Sequence, residues 1–171
     1  MDRITCEIHR ATARIDDKIA FLHRVRAIAD TYETHIILFD ADLMAGEKHV
    51  RTALEHAYRS YAAGTPIANS LEMEVLLYAA GTRQCLVATN FGIHQGENRL
   101  YTCICPPAAG ARKELAAVMT FVEEEFGGID EAKAERLMEA FGITRDELEA
   151  VGEDRIAELV LERVALLDVY R

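Results

Sequence analysis

The chain has 171 residues, half of them hydrophobic and only 3 proline and 10 glycine, so we expect one folded domain with a sizeable core. The formal net charge is −10, and residues 111–171 carry most of the acidic excess, with 16 acidic and 8 basic residues. This charge argues against a general nucleic-acid coat but is compatible with a small contact in the first two thirds. We expect a cytoplasmic protein, because no apolar run approaches the roughly 20 residues that cross a bilayer and the N-terminus lacks a signal peptide's apolar core.

Alternating strands and helices are predicted for residues 1–110. Residues 4–13 alternate apolar and polar side chains and are predicted as a strand, and a helix capped by Asp16 or Asp17 follows to about Asp30. The continuous apolar run HIILF (35–39) is typical of a buried central strand. A helix is then predicted from about residue 45 or 46 to Tyr61.

The stretch NSLEMEVLLYAAGTRQ (69–84) predicts a further helix, whose start is indicated by a capping box of Asn69 and Glu72. A short helix near 83–91 and a strand over 99–105 follow. After residue 110 the pattern is helical, and Thr144 with Glu147 forms another capping box. The helices predicted there span about 111–126, 131–141, 145–150 and 153–170.

These elements predict a single domain over residues 1–171 of the α/β or α+β class, with a small central mixed or antiparallel sheet flanked by helices. Residues 1–110 supply the sheet and its helices, and residues 111–171 form an acidic helical part.

No metal or cofactor site is predicted. Cys6, Cys85, Cys103 and Cys105 form no C-x-x-C pair, and a chain of this length needs no disulfide framework, so we expect free thiols. Cys103 and Cys105 alternate in a predicted strand and face one side of it, but a metal site there lacks a second ligand pair. We therefore expect them to be buried thiols.

No known active-site motif is present. Asp40 and Asp42 follow a predicted buried strand, where catalytic or metal-binding carboxylates often stand, but no phosphate-binding loop accompanies them. We interpret them as carboxylates that cap the next helix, and a small metal-dependent enzyme remains the alternative.

The helix over 47–61 has a mostly basic face with Lys48, Arg51 and Arg59, which is either a solvated face or a phosphate contact. His49 and His56 lie two turns apart on another strip, which favours close packing over a metal site because no third ligand is recognisable.

The helix over 69–84 is apolar all round its axis, apart from Glu72 and Glu74. These carboxylates diverge by about 200° and cannot act on one substrate, since successive helix residues are rotated by about 100°. Buried carboxylates need partners, and Arg83 is a candidate for that role. The last helix is also apolar over most of its circumference, so it is either sandwiched in the domain or partly a protein-binding surface.

Three segments carry a family resemblance: HIILFDADLMAGEKHVRTALEHAYRS (35–60), NSLEMEVLLYAAGTRQCLVATNFGI (69–93) and LVLERVALLDVYR (159–171). In order and spacing they resemble the kinase-binding (TPRKB-like) subunit of the KEOPS complex in its archaeal form. The resemblance implies an α/β fold and a non-enzymatic protein that binds the small KEOPS kinase-like ATPase. It also implies a role in recruiting tRNA through the single-stranded CCA end, for threonylcarbamoylation of the adenosine next to the anticodon.

The resemblance directs the site prediction. For tRNA we expect Asn69, Arg83 and Gln84 on the family pattern, and the phosphate contacts are proposed from helix geometry at Lys48, Arg51 and Arg59. The breadth of the apolar surface on the last helix makes Leu159, Leu166 and Tyr170 the expected kinase contacts. The alternative is a pure protein-interaction module that regulates the kinase without contacting RNA.

Overall fold

The computed structural model describes residues 5–170, and within them four strands form one antiparallel sheet in the order β2–β3–β1–β4. The predicted α/β class with a small sheet is therefore confirmed. The predicted first strand begins at Ile4, which lies outside the described residues. The strands are β1 (Glu7–Ile15), β2 (His35–Asp40), β3 (Gly96–Cys105) and β4 (Thr120–Val122).

Eight α-helices surround the sheet in the described part of the chain, together with three short 3-10 turns. No helix among these residues is long and apolar enough to span a membrane. The α-helices are α1 (Lys18–Thr31), α2 (Glu47–Ala62), α3 (Leu71–Ala80), α4 (Cys85–Ala88), α5 (Ala109–Leu115), α6 (Glu131–Phe141), α7 (Arg145–Val151) and α8 (Ile156–Tyr170). The 3-10 turns span Ala41–Leu43, Thr89–Phe91 and Glu153–Arg155.

Each face of the sheet carries its own core, because successive strand residues point to opposite faces. In β2, Ile36 and Leu38 belong to the core shared with α1 and α5, whereas Ile37 and Phe39 belong to the core shared with α2, α3, α6 and α8. The larger second core therefore positions α2, α3 and α8 together on one side of the sheet.

The central position predicted for β2 is wrong, because β2 is an edge strand that pairs only with β3 among the described strands. Its residues 36–40 are nevertheless buried, since helices cover both faces of the sheet. A continuous apolar run reports burial of both faces and does not reveal whether the strand has one neighbour or two.

The predicted helix over 111–126 is also wrong over most of its length. α5 ends at Leu115, and Thr120–Val122 form β4, which pairs with β1 at the other edge of the sheet. A strand of three residues is too short to show the alternation by which strands are found in a sequence.

The prediction of free thiols fails for one pair, since Cys6 and Cys105 form a disulfide. They are 99 residues apart in sequence, and their Cα atoms are 4.4 Å apart. The pairing follows from the register of β1 and β3, in which Glu7 faces Ile104, so the sequence spacing could not indicate it. Cys103 is a buried thiol, as predicted, and burial raises its pKa.

Two of the predicted helix caps are confirmed and one is displaced by a residue. Asp17 and Thr144 accept hydrogen bonds from the first turns of α1 and α7. α3 is capped by Ser70, which accepts from the main-chain N–H of Met73, and not by Asn69. Adjacent asparagine and serine residues offer two possible caps, and the helix uses the second.

Candidate functional site

The helices α2 and α3 form an antiparallel pair, and a buried histidine fixes one end of it. His49 Nδ1 accepts from the main-chain N–H of Ala45 (3.0 Å), and Nε2 donates to the carbonyl of Ala79 (2.8 Å). Burial lowers the pKa of His49 to about 4, so the ring is neutral at pH 7. His49 is buried, and its ring meets the Phe141 ring edge-on with 5.7 Å between the ring centres, so it packs within the core.

A buried carboxylate fixes the other end of the pair. Glu74 is fully buried and accepts hydrogen bonds from Ser60 Oγ (2.9 Å) and from the main-chain N–H groups of Ile67 (2.9 Å) and Ala68 (2.8 Å). These donors replace the hydration that a buried carboxylate loses. Glu74 therefore holds the loop between α2 and α3 in place.

Arg83 is not the partner of Glu72 or Glu74 in α3. Glu72 contacts His35 Nδ1 (2.6 Å), while Arg83 Nη1 donates to the main-chain carbonyl of Tyr170 at the end of α8 (3.5 Å). A cation beside the C-terminal carbonyls of a helix is electrostatically favourable. Arg83 is exposed to solvent as a residue.

Exposed apolar side chains accompany Arg83. On α8, Val169 and Tyr170 are 70% and 72% exposed, and Leu86 on α4 is 86% exposed. Gln84 is exposed between the arginine and this leucine. We call the following residues the Arg83 surface: Arg83, Gln84, Leu86, Val169 and Tyr170.

Sequence reasoning did not select Leu86 or Val169. The available signal was the apolar segment CLVA directly after GTRQ, because a helix of only four residues cannot turn all of its apolar side chains inward.

The last turn of α8 is fixed to α2 and α3. Asp168 accepts a hydrogen bond from the Tyr78 hydroxyl and contacts His56 Nδ1 (2.6 Å), and the His56 ring stacks on Tyr78. Leu159 is only 5% exposed and packs in the core, whereas Leu166 is half-buried. α8 therefore packs within the domain along most of its length and presents its C-terminal end to solvent.

The three predicted cations of α2 are all exposed but do not form one cluster. Arg51 makes an ion pair with Glu47 on the same helix (3.1 Å). Lys48 lies near the start of α2 and Arg59 near its end, about 16 Å apart at 1.5 Å per residue. Arg59 lies one turn beyond His56, on the side of α2 that faces the C-terminal end of α8.

Asn69 is exposed just before α3, at the end opposite Arg83 and Gln84. The ten residues of α3 separate the two positions by about 15 Å. Of the six residues predicted to contact tRNA, the structure therefore brings Arg83 and Gln84 together and spaces the others along α2 and α3.

Comparison with known proteins identifies the family. Residues 13–168 match the family model described as kinase binding protein CGI-121. The chain belongs to the CGI-121 family. It is also 30% identical over 135 residues to the regulatory protein Cgi121 of Methanocaldococcus jannaschii, a match that covers 78% of this chain and 83% of that protein. The CGI-121 match confirms the family resemblance drawn from the sequence.

The CGI-121 match covers part of the Arg83 surface. The match includes Arg83, Gln84 and Leu86 and ends at Asp168, so Val169 and Tyr170 lie just beyond it. The matched region therefore covers α3, α4 and nearly all of α8.

Proposed function

We propose that this CGI-121 family member is a non-catalytic, regulatory subunit of a KEOPS-type complex. It binds the kinase-like ATPase of the complex and recruits tRNA through the single-stranded CCA end, in support of threonylcarbamoylation of the adenosine next to the anticodon. The kinase-binding part rests on the family match over residues 13–168. The name of the archaeal relative, a regulatory protein, supports a role without catalysis.

The partners of the carboxylates support a non-catalytic role. Glu74 is occupied by three hydrogen-bond donors, and Glu72 contacts a histidine of β2. Asp40 caps the 3-10 turn after β2, and Asp42 makes an ion pair with Arg99 (3.3 Å). Glu72 and Glu74 have different partners and face no common reacting centre of the kind that general acid–base catalysis requires, whereas Asp40 and Asp42 line one cleft.

The kinase is proposed to bind at the C-terminal end of α8. Tyr170 and Leu166 remain the proposed contacts, and Val169 joins them because it is exposed. Exposed aromatic and aliphatic side chains are typical anchors of protein interfaces. Leu159 is buried in the core beneath this surface, so it is not proposed as a direct kinase contact.

The RNA-binding proposal rests on the exposure of Arg83 beside Gln84. Arg83 forms no ion pair with Glu72 or Glu74, because both glutamates have other partners. A single-stranded RNA end is held by cations at phosphates, hydrogen bonds at base edges and apolar platforms for stacking. Arg83, Gln84 and Leu86 offer these three chemistries in turn. Further contacts along the RNA strand are proposed for Lys48, Arg51, Arg59 and Asn69.

Charge reversal at Arg83 tests this proposal. In a gel shift at low salt, Arg83→Glu is expected to weaken tRNA binding at least tenfold and to leave helicity and kinase binding intact. Arg24→Glu is the matched control, because Arg24 is an exposed arginine of α1 outside the Arg83 surface. Unchanged tRNA binding by Arg83→Glu contradicts the proposal.

A pure protein-interaction module that regulates the kinase without contacting RNA is the second candidate. The net charge of −10 and the exposed apolar residues of the Arg83 surface favour it. Firm kinase binding with no shift of intact tRNA by the wild-type chain at low salt would decide for this candidate.

A further inference from the structure

An open cleft of about 420 Å³ lies at the C-terminal end of β2, and its lining includes Thr89, whose hydroxyl donates to the carbonyl of Leu86 (2.8 Å). Its walls come from five parts of the chain: the start of α1, the end of β2 with the turn that follows it, the 3-10 turn after α4, the loop before β3, and α6. Its volume lies in the range of about 300–1,000 Å³ that is usual for small-molecule sites. The lining residues that matter for its chemistry are Lys18, Asp40, Leu43, Ile93, His94 and Arg136.

Two hydrogen-bond acceptors face each other in this cleft. Asp40 is only 9% exposed, and its Oδ1 accepts from the main-chain N–H of Asp42 (2.9 Å). Its Oδ2 lies 3.8 Å from His94 Nδ1, which is too long for a hydrogen bond. His94 Nε2 donates to the carbonyl of Glu97 (2.9 Å), so in the neutral ring Nδ1 is an acceptor as well. A ligand amino group has two N–H bonds and can donate to both atoms.

Two cations line the same cleft. Neither Lys18 nor Arg136 makes an ion pair or a side-chain hydrogen bond with another residue of the described chain. The lining also includes the carboxylate of Asp42, which is ion-paired with Arg99 (3.3 Å). The two positive charges of Lys18 and Arg136 match the charge of a phosphate monoester. Leu43 and Ile93 add apolar wall against which a ring can pack.

We propose that the cleft binds a mononucleotide whose base carries an exocyclic amino group, with adenosine monophosphate as the test ligand. The phosphate contacts Lys18 and Arg136, and the amino group donates to Asp40 and His94. Alanine also carries an amino group and an anion, but it has no ring for the apolar wall. An aromatic amino acid has a ring, but its single carboxylate needs only one cation. Burial raises the pKa of Asp40, which agrees with a carboxyl held away from bulk water. The proposal does not depend on the proposed function.

Calorimetric titration of the full chain tests this site. Adenosine monophosphate is expected to bind, and Lys18→Glu and Arg136→Glu are each expected to weaken that binding at least tenfold. Lys113→Glu is the matched control, because Lys113 is an exposed lysine of α5 outside the cleft, and it should bind as the wild type does. Circular dichroism of each variant verifies that the fold is retained.

Two analogues test the two halves of the ligand. Adenosine lacks the phosphate and inosine monophosphate lacks the exocyclic amino group, so each is expected to bind at least tenfold more weakly than adenosine monophosphate. The proposal is overturned if adenosine monophosphate does not bind at millimolar concentration or if both cleft variants bind it like the wild type. It is also overturned if inosine monophosphate binds equally well, or if alanine binds more tightly than adenosine monophosphate.

Discussion

Gly81 and Gly142 adopt the same left-handed conformation, φ 63° and ψ 34°, at the C-terminal ends of α3 and α6. A Cβ atom on Gly81 would lie 3.1 Å from the carbonyl oxygen of Arg163 in α8, whereas a Cβ on Gly142 would meet no atom within 4 Å. Alanine should cost about 1–2 kcal/mol of unfolding free energy at either position, because the left-handed conformation strains it. Gly81→Ala should cost more than Gly142→Ala, since α8 must also shift. Chemical denaturation of both variants measures this difference, and equal costs would contradict the close approach of α3 and α8.

His49 makes stability depend on pH. Its pKa is about 4 in the folded protein and 6.5 in the unfolded chain, so the unfolded state binds more protons between these values. The free energy of unfolding should therefore fall by about 3 kcal/mol as the pH drops from 6.5 to 4. Denaturation of wild type and His49→Gln across this range tests the effect. An equally steep loss in the variant would show that other groups are responsible.

The helix α8 combines a packed side with an exposed end, and two substitutions separate these roles. Leu159→Ala should lower the free energy of unfolding by about 2–5 kcal/mol, since it leaves a cavity in the core. Tyr170→Ala should change stability by less than about 0.5 kcal/mol, because the side chain is exposed and Arg83 contacts only its main-chain carbonyl. Titration with the kinase should show at least tenfold weaker binding for Tyr170→Ala. Undiminished binding would place the kinase elsewhere.

Capped and periodic elements were predictable from the sequence, and the shortest strand was not. Asp17 and Thr144 mark helix starts correctly because their side chains act locally. The three-residue strand β4 is too short to show a period, so its formation depends on tertiary packing. The short helix predicted near 83–91 is present as α4 and the 3-10 turn after it. Arg83 and Gln84 were selected from the family pattern, whereas the signal for Leu86 was only the apolar segment CLVA in a helix too short to bury it.

Contacts between residues far apart in the sequence hold the whole molecule together, and the sequence patterns could not predict them. The disulfide between Cys6 and Cys105 closes a long loop and restricts the unfolded chain, which for about 100 residues contributes roughly 4–5 kcal/mol. Cys6→Ser should therefore lower the free energy of unfolding by up to that amount without reductant. With reductant the variant and the wild type should be equally stable. No difference under oxidising conditions would contradict this role for the pairing.

The contact between Arg83 and the end of α8 makes the proposed RNA and kinase surfaces contiguous. The most direct test of the account is the affinity of the chain, with its kinase partner bound, for intact tRNA and for tRNA trimmed of its CCA end. We expect the trimmed tRNA to bind at least tenfold more weakly, because the single-stranded end supplies the groups that Arg83 and Gln84 recognise. Equal affinity for the two RNAs would contradict the proposed recruitment of tRNA.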